Sequence, residues 1–131
     1  MIALLPFALA LAAPAQAQSA DLAQSVWRNP RDSVHVRFEP CGALLCGTVI
    51  WASDKAIADA ARGSSTPLVG TRIFRDFHPV QANVWRGRVF VPDIASTFSG
   101  RITLDGDRMI GRGCLFAGLG CKSQTWTRVT P

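Results

Sequence analysis

The stretch Thr97-Phe-Ser-Gly-Arg-Ile-Thr-Leu104, turned by Asp105-Gly106-Asp107 into Arg108-Met-Ile-Gly-Arg-Gly-Cys114, decides the fold. Side chains of an extended chain alternate between faces. Phe98, Gly100, Ile102 and Leu104 therefore share one face, while Thr97, Ser99, Arg101 and Thr103 share the other. An Asp-Gly pair between two such runs accepts the positive φ angles of a tight hairpin turn. These residues predict an antiparallel pair with one apolar face and one polar face.

The same period of two extends in both directions along the chain. Val34, Val36 and Phe38 alternate with His35, Arg37 and Glu39, and Gly47–Trp51 follows as a short apolar run. Further strands are expected around Gln24–Arg28, Thr71–Phe77, Val84–Val91 and Lys122–Val129. Between them, Ser53–Gly63 reads as one helix capped by Ser53, with Asp54 and Arg62 complementing its dipole and Gly63 stopping it. Eight short strands in up-and-down order, with one short helix, predict an all-β chain closed into a small antiparallel β-barrel, because closure removes both exposed edges. A two-sheet sandwich is the alternative.

Residues 1–13 form an apolar leader too short to cross a bilayer, and Ala15-Gln16-Ala17 has the small-x-small form of a cleavage site. Residues 1–17 are expected to be a signal peptide and residues 18–131 a single domain with one core. The mature chain is then periplasmic or secreted, and not membrane-spanning. In that oxidising space Cys41, Cys46, Cys114 and Cys121 are expected to form disulfides, with three connectivities open. Local geometry favours short-range pairing, and Cys41-Gly-Ala-Leu-Leu-Cys46 reads as a tight hairpin loop with facing cysteines. Such small loops stabilise by about 2 to 2.5 kcal/mol each in the chain-entropy model. The C-x2-C spacing of structural zinc sites is absent, so no metal is expected.

The net charge is +5, and twelve of the fourteen basic residues are arginine. That excess suggests an acidic partner such as an anionic envelope lipid or polysaccharide. The arginines nevertheless stand singly within alternating patterns, which reads as a solvated basic surface. Nucleic acid is not expected, because no recognised nucleic-acid fold motif is present.

The series Trp27, Val34-x-Val-Arg, Cys41-Gly-x-x-x-Cys46-Gly47, Trp51, Gly70, Trp85-x-Gly87, Pro92, Gly113-Cys114 and Thr125-Trp126-Thr-Arg128-Val129 resembles the exported bacterial domain of unknown function 2147, DUF2147. The resemblance covers nearly the whole chain beyond the leader. It implies an exported barrel of the calycin, or lipocalin-like, kind and no established activity. Lipocalin-like barrels tend to set a tryptophan of the first strand against an arginine of the last, and Trp27 and Arg128 stand in those places. The resemblance thus implies a barrel-closing contact of about 0.5 to 2 kcal/mol.

Alternate loops of an up-and-down barrel lie at opposite ends, so the two cysteine loops are expected at opposite ends. Cys41 and Cys46 would share the closed end with Trp27 and Arg128. The segments 52–70, 92–96 and 115–120 would border a mouth, with Trp51, Ile57, Leu68, Pro92, Ile94, Leu115, Phe116 and Leu119 as candidate ligand contacts. An eight-stranded barrel either holds one small ligand or fills with side chains, and Trp51, Trp85, Phe90 and Phe98 are the candidates to fill it.

No Gly-x-Ser-x-Gly elbow, His-Glu-x-x-His pair or phosphate-binding glycine loop occurs. His35 reads as an outer-face strand residue and His78 as a turn residue before Pro79, so no catalytic residue and no cofactor is assigned. The leading expectation is a non-enzymatic binder of a small apolar or amphiphilic ligand in the cell envelope. The alternative is a solid-core interaction module whose basic surface meets an anionic envelope component, and an enzyme of unknown reaction is third.

Overall fold

A computed structural model describes residues 2–6, 8, 22–116 and 119–130, except the side chains of Phe116 and Leu119. The expected cleavage point near Ala17 and the domain boundary at residue 18 lie outside the described residues. Eight antiparallel strands follow one another around a closed barrel: β1 Val26–Arg28, β2 Val34–Cys41, β3 Leu44–Ala52, β4 Arg72–Gln81, β5 Val84–Val91, β6 Ser96–Asp105, β7 Arg108–Phe116 and β8 Leu119–Arg128. Helix α1, Asp54–Ala61, lies between β3 and β4, and a single 3-10 turn, Pro92–Ile94, joins β5 to β6. The barrel, and not the sandwich, is the fold.

The decisive hairpin forms as the alternation requires. Asp105 stands opposite Arg108, Gly106 takes a φ of 57°, and Gly100, Ile102 and Leu104 are buried while Thr97, Ser99 and Arg101 are exposed. At three other places the structure departs from the expected elements. β1 starts two residues late, because Gln24 adopts a φ of 64° and its N–H bonds back to the Phe38 carbonyl at 2.6 Å. β4 runs past Phe77 through His78 and Pro79 to Gln81, so His78 is a strand residue and not a turn residue. Pro79 pairs with Trp85 of β5 on one side, while β3 pairs with β4 only as far as Phe77, so on the β3 side Pro79 stands at an unpaired strand edge, where proline is tolerated.

The third departure concerns Gly63. Helix α1 is capped as expected, with Ser53 Oγ accepting the Ala56 N–H at 3.2 Å. Lys55 and Arg62 both reach Asp59, and the Lys55 hydrogen bond is the main cause holding that carboxyl below its usual range. Gly63, however, is not in the left-handed region of a helix-stopping glycine. A Cβ there would lie 2.2 Å from the Pro92 carbonyl oxygen, so glycine is needed for the close approach of the helix end to the 3-10 turn.

Packing inside the barrel is dense. Trp27, Val36, Phe38, Phe77, Trp85, Ile102 and Met109 are fully buried, and Ala52, Ala60 and Leu68 join the same cluster. Phe74 connects it, with ring centroids 5.2 Å from Phe38, 5.9 Å from Phe77 and 5.4 Å from Trp126. Inward-facing glycines receive these rings. A Cβ on Gly47 would meet Phe74 Cδ2 at 2.8 Å, and one on Gly87 would meet Phe77 Cδ2 at 2.7 Å and the Arg75 carbonyl at 2.6 Å. Gly87→Ala is therefore expected to destabilise by roughly 1 to 3 kcal/mol. Gly111→Ala, whose Cβ would meet only the Gln124 carbonyl at 3.9 Å among the described residues, should stay within about 0.5 kcal/mol of the wild type when both variants are compared by urea titration.

Candidate functional site

Strand order assigns every connection to one end of the barrel. The β2–β3, β4–β5 and β6–β7 turns share one end with the β1–β8 closure. Helix α1, the 3-10 turn and the β7–β8 hairpin share the other.

At the closed end the Arg128 guanidinium carbon lies 4.4 Å over the Trp27 ring, and the two residues face each other across β1 and β8. Arg128 Nε is also 3.5 Å from Asp107 Oδ1, and Trp27 Nε1 donates to Ser25 Oγ at 2.7 Å. Beside them an open cleft of about 340 Å³ is lined by Asn83, Leu104, Asp105, Gly106 and Arg128. The Cys41–Cys46 disulfide closes the β2–β3 hairpin, but its cysteines do not face each other. Cys41 stands opposite Leu44 and Cys46 opposite Glu39, so the bond crosses the hairpin diagonally with its Cα atoms 5.8 Å apart. Asp76 comes close to both sulfurs, yet disulfide sulfurs carry no thiolate to ligate a metal.

At the opposite end Cys114 and Cys121 are direct cross-strand partners, joined by the second disulfide. The mouth candidates divide between two environments. Leu68 and Pro92 are buried in the layer that covers this end, whereas Trp51, Ile57, Ile94 and Leu115 project to solvent. The side chains of Phe116 and Leu119 lie outside the described residues.

Two of the expected interior aromatics are on the outside. An extra residue in β3 shifts its register between Val36 and His35, which turns Trp51 outward against His35, ring centroids 4.6 Å apart. Phe90 lies half-buried on the outer face beneath the Arg75 guanidinium, at 4.4 Å. Trp85 is fully buried within the barrel, and its Nε1 finds no acceptor among the described residues.

Catalytic groupings are scarce. His35 Nε2 is 2.6 Å from Asp32 Oδ1, an exposed pair on a loop and strand edge, and His78 is exposed on β4. Among the described residues no serine hydroxyl hydrogen-bonds a histidine.

Sequence reasoning missed a different feature, an arginine row. Arg86 of β5 stands directly opposite Arg101 of β6, and Arg101 directly opposite Arg112 of β7. All three are exposed, with His78 continuing the row on β4 and Ser123 on β8. None of the three arginines makes an ion pair or side-chain hydrogen bond among the described residues. Far apart along the chain, they stand as scattered charge in the sequence, and only the strand registers bring them together. The Asp105-Gly106 turn was the available signal, since placing Asp105 opposite Arg108 puts Arg101 opposite Arg112.

The family model described as an uncharacterized protein conserved in bacteria, DUF2147, matches residues 25–128. No curated protein and no solved structure matches the chain.

The closure contact can be measured separately from the row. Arg128→Gln removes both the ring contact and the Asp107 pairing, and is expected to lower unfolding stability by about 0.5 to 2 kcal/mol. The same change at Trp27→Leu/Arg128→Gln should show coupling in a double-mutant cycle, and strict additivity would exclude the contact as a closing interaction.

Proposed function

The chain belongs to the DUF2147 family, whose description names no activity, and from that premise we propose a non-enzymatic, exported module that binds an anionic component of the cell envelope through its outer surface. The observation that carries this reading is the filled interior, where aromatic rings lie directly on the backbone of Gly47 and Gly87. A barrel packed in this way leaves binding to its exterior, and the exterior carries the excess positive charge.

Other features support the export reading. Two disulfides suit an oxidising compartment, and the apolar leader with its small-x-small motif suits a cleaved signal peptide. Among the described residues no helix is long and apolar enough to cross a membrane. The Trp27 and Arg128 pairing agrees with a lipocalin-like kinship for the barrel.

A second reading, a small apolar or amphiphilic ligand held inside the barrel, has its own support. Gly111 and Gly113 face inward with little against them among the described residues, and the buried Trp85 Nε1 lacks an acceptor there. Native mass spectrometry that found an apolar molecule carried with the protein would favour this second reading.

For the first reading, the purified chain is expected to be retained on isolated cell envelopes at low ionic strength. It should be released near 1 M salt, where the screening length falls to about 3 Å. Absence of retention at every salt concentration would overturn it.

A further inference from the structure

We propose that the row formed by Arg86, Arg101 and Arg112 is the binding site for an extended anionic polysaccharide, one that carries carboxylates on its successive sugars. This rests on the reading that the module binds an anionic envelope component, and it adds the site and the ligand class.

The row is costly to the isolated protein. Like charges placed directly opposite each other in neighbouring strands destabilise a sheet. Here three cations occupy consecutive strands with no carboxylate among them. On the outer face of β6 the acidic residue is Asp105, which stands at the turn opposite Arg108, and Asp76 on β4 is engaged by Arg88. The charge of the row is thus left for a partner.

Its geometry selects among anions. Neighbouring strands lie about 4.8 Å apart, so the row offers one guanidinium per strand along a line running across the barrel wall. Each guanidinium presents a planar fork of donors that matches a carboxylate in bidentate fashion. Hydroxyl groups flank the line, with Ser99 one step along β6 and Ser123 opposite Arg112, and these suit the hydroxyls of a sugar. A linear polymer with repeated carboxylates can contact all three arginines at once.

A lipid surface fits less well. The row lies in the middle of its strands, on the convex flank of a barrel, where a flat bilayer meets the protein only tangentially. Most of the exposed apolar residues that would enter a bilayer, Trp51, Ile57, Val69, Ile94 and Leu115, belong to the helix-bearing end, and Val80 stands alone near the β4–β5 turn, so the flank carries no apolar cluster among the described residues. A flexible polymer follows the curve.

The test compares two variants that each lose three positive charges: Arg86→Gln/Arg101→Gln/Arg112→Gln in the row, and Arg31→Gln/Arg62→Gln/Arg72→Gln away from it. Binding to polygalacturonate is measured by calorimetry at fixed low salt, beside galacturonate monomer and phosphatidylglycerol vesicles. The row variant is expected to lose at least tenfold in polygalacturonate affinity and the control less than threefold, with the monomer far weaker than the polymer. The row variant should also unfold at an equal or higher temperature than the wild type, which shows that any lost binding is not lost folding.

Equal losses in the two variants would overturn the row as a site and reduce the effect to net charge. Tighter binding to the vesicles than to polygalacturonate would overturn the ligand class in favour of a membrane. Either result, with envelope retention intact, leaves the broader function standing. A wild-type protein that binds neither envelopes nor polygalacturonate removes both.

Discussion

The rings of Phe74 and Phe77 lie against glycine backbone on the inner wall, and the rest of the structure depends on that fit. Gly47 and Gly87 leave notches that a methyl group would fill, and the two rings occupy them. Phe74 then links Phe38 on one side to Trp126 on the other, so strands distant in sequence pack through one residue. Close packing of this sort leaves little room for a guest near the rings and directs attention to the outer wall. Barrel closure by Trp27 and Arg128 holds the first and last strands around the same core.

Sequence and structure agree where a pattern is local. The alternation of Thr97–Leu104 and the Asp-Gly turn are properties of neighbouring residues, and β6 and β7 form as those residues require. The helix cap at Ser53 is equally local. Family resemblance, resting on the Cys41–Cys46 segment and the terminal Thr-Trp-Thr-Arg-Val, agrees with the matched family over residues 25–128.

What could not be read depended on register or on distant contact. Strict alternation along β3 would turn Trp51 inward, and one extra residue in that strand reverses it. Gly63 looked like a helix stop, yet its requirement comes from the Pro92 carbonyl of a turn almost thirty residues away. The arginine row was half legible. Arg101 opposite Arg112 follows from the Asp-Gly hairpin, but Arg86 opposite Arg101 depends on the 3-10 connection at Pro92–Ile94, whose register no local pattern reveals. Scattered charge in sequence thus became aligned charge on the surface.

The row also illustrates why a site of this type resists detection by stability alone. Its residues set like charges side by side on the sheet that carries them and make no ion pair or side-chain hydrogen bond among the described residues, so their value appears only with a partner. A chemical-shift titration of the isotope-labelled protein with polygalacturonate is the most direct measurement. A solid barrel acting through its outside predicts shifts concentrated on the Nε signals of Arg86, Arg101 and Arg112 and on the adjoining amides of β5 to β7. Shifts concentrated instead on Trp85 Nε1 and on the amides of Gly111 and Gly113 would place the ligand inside and contradict it.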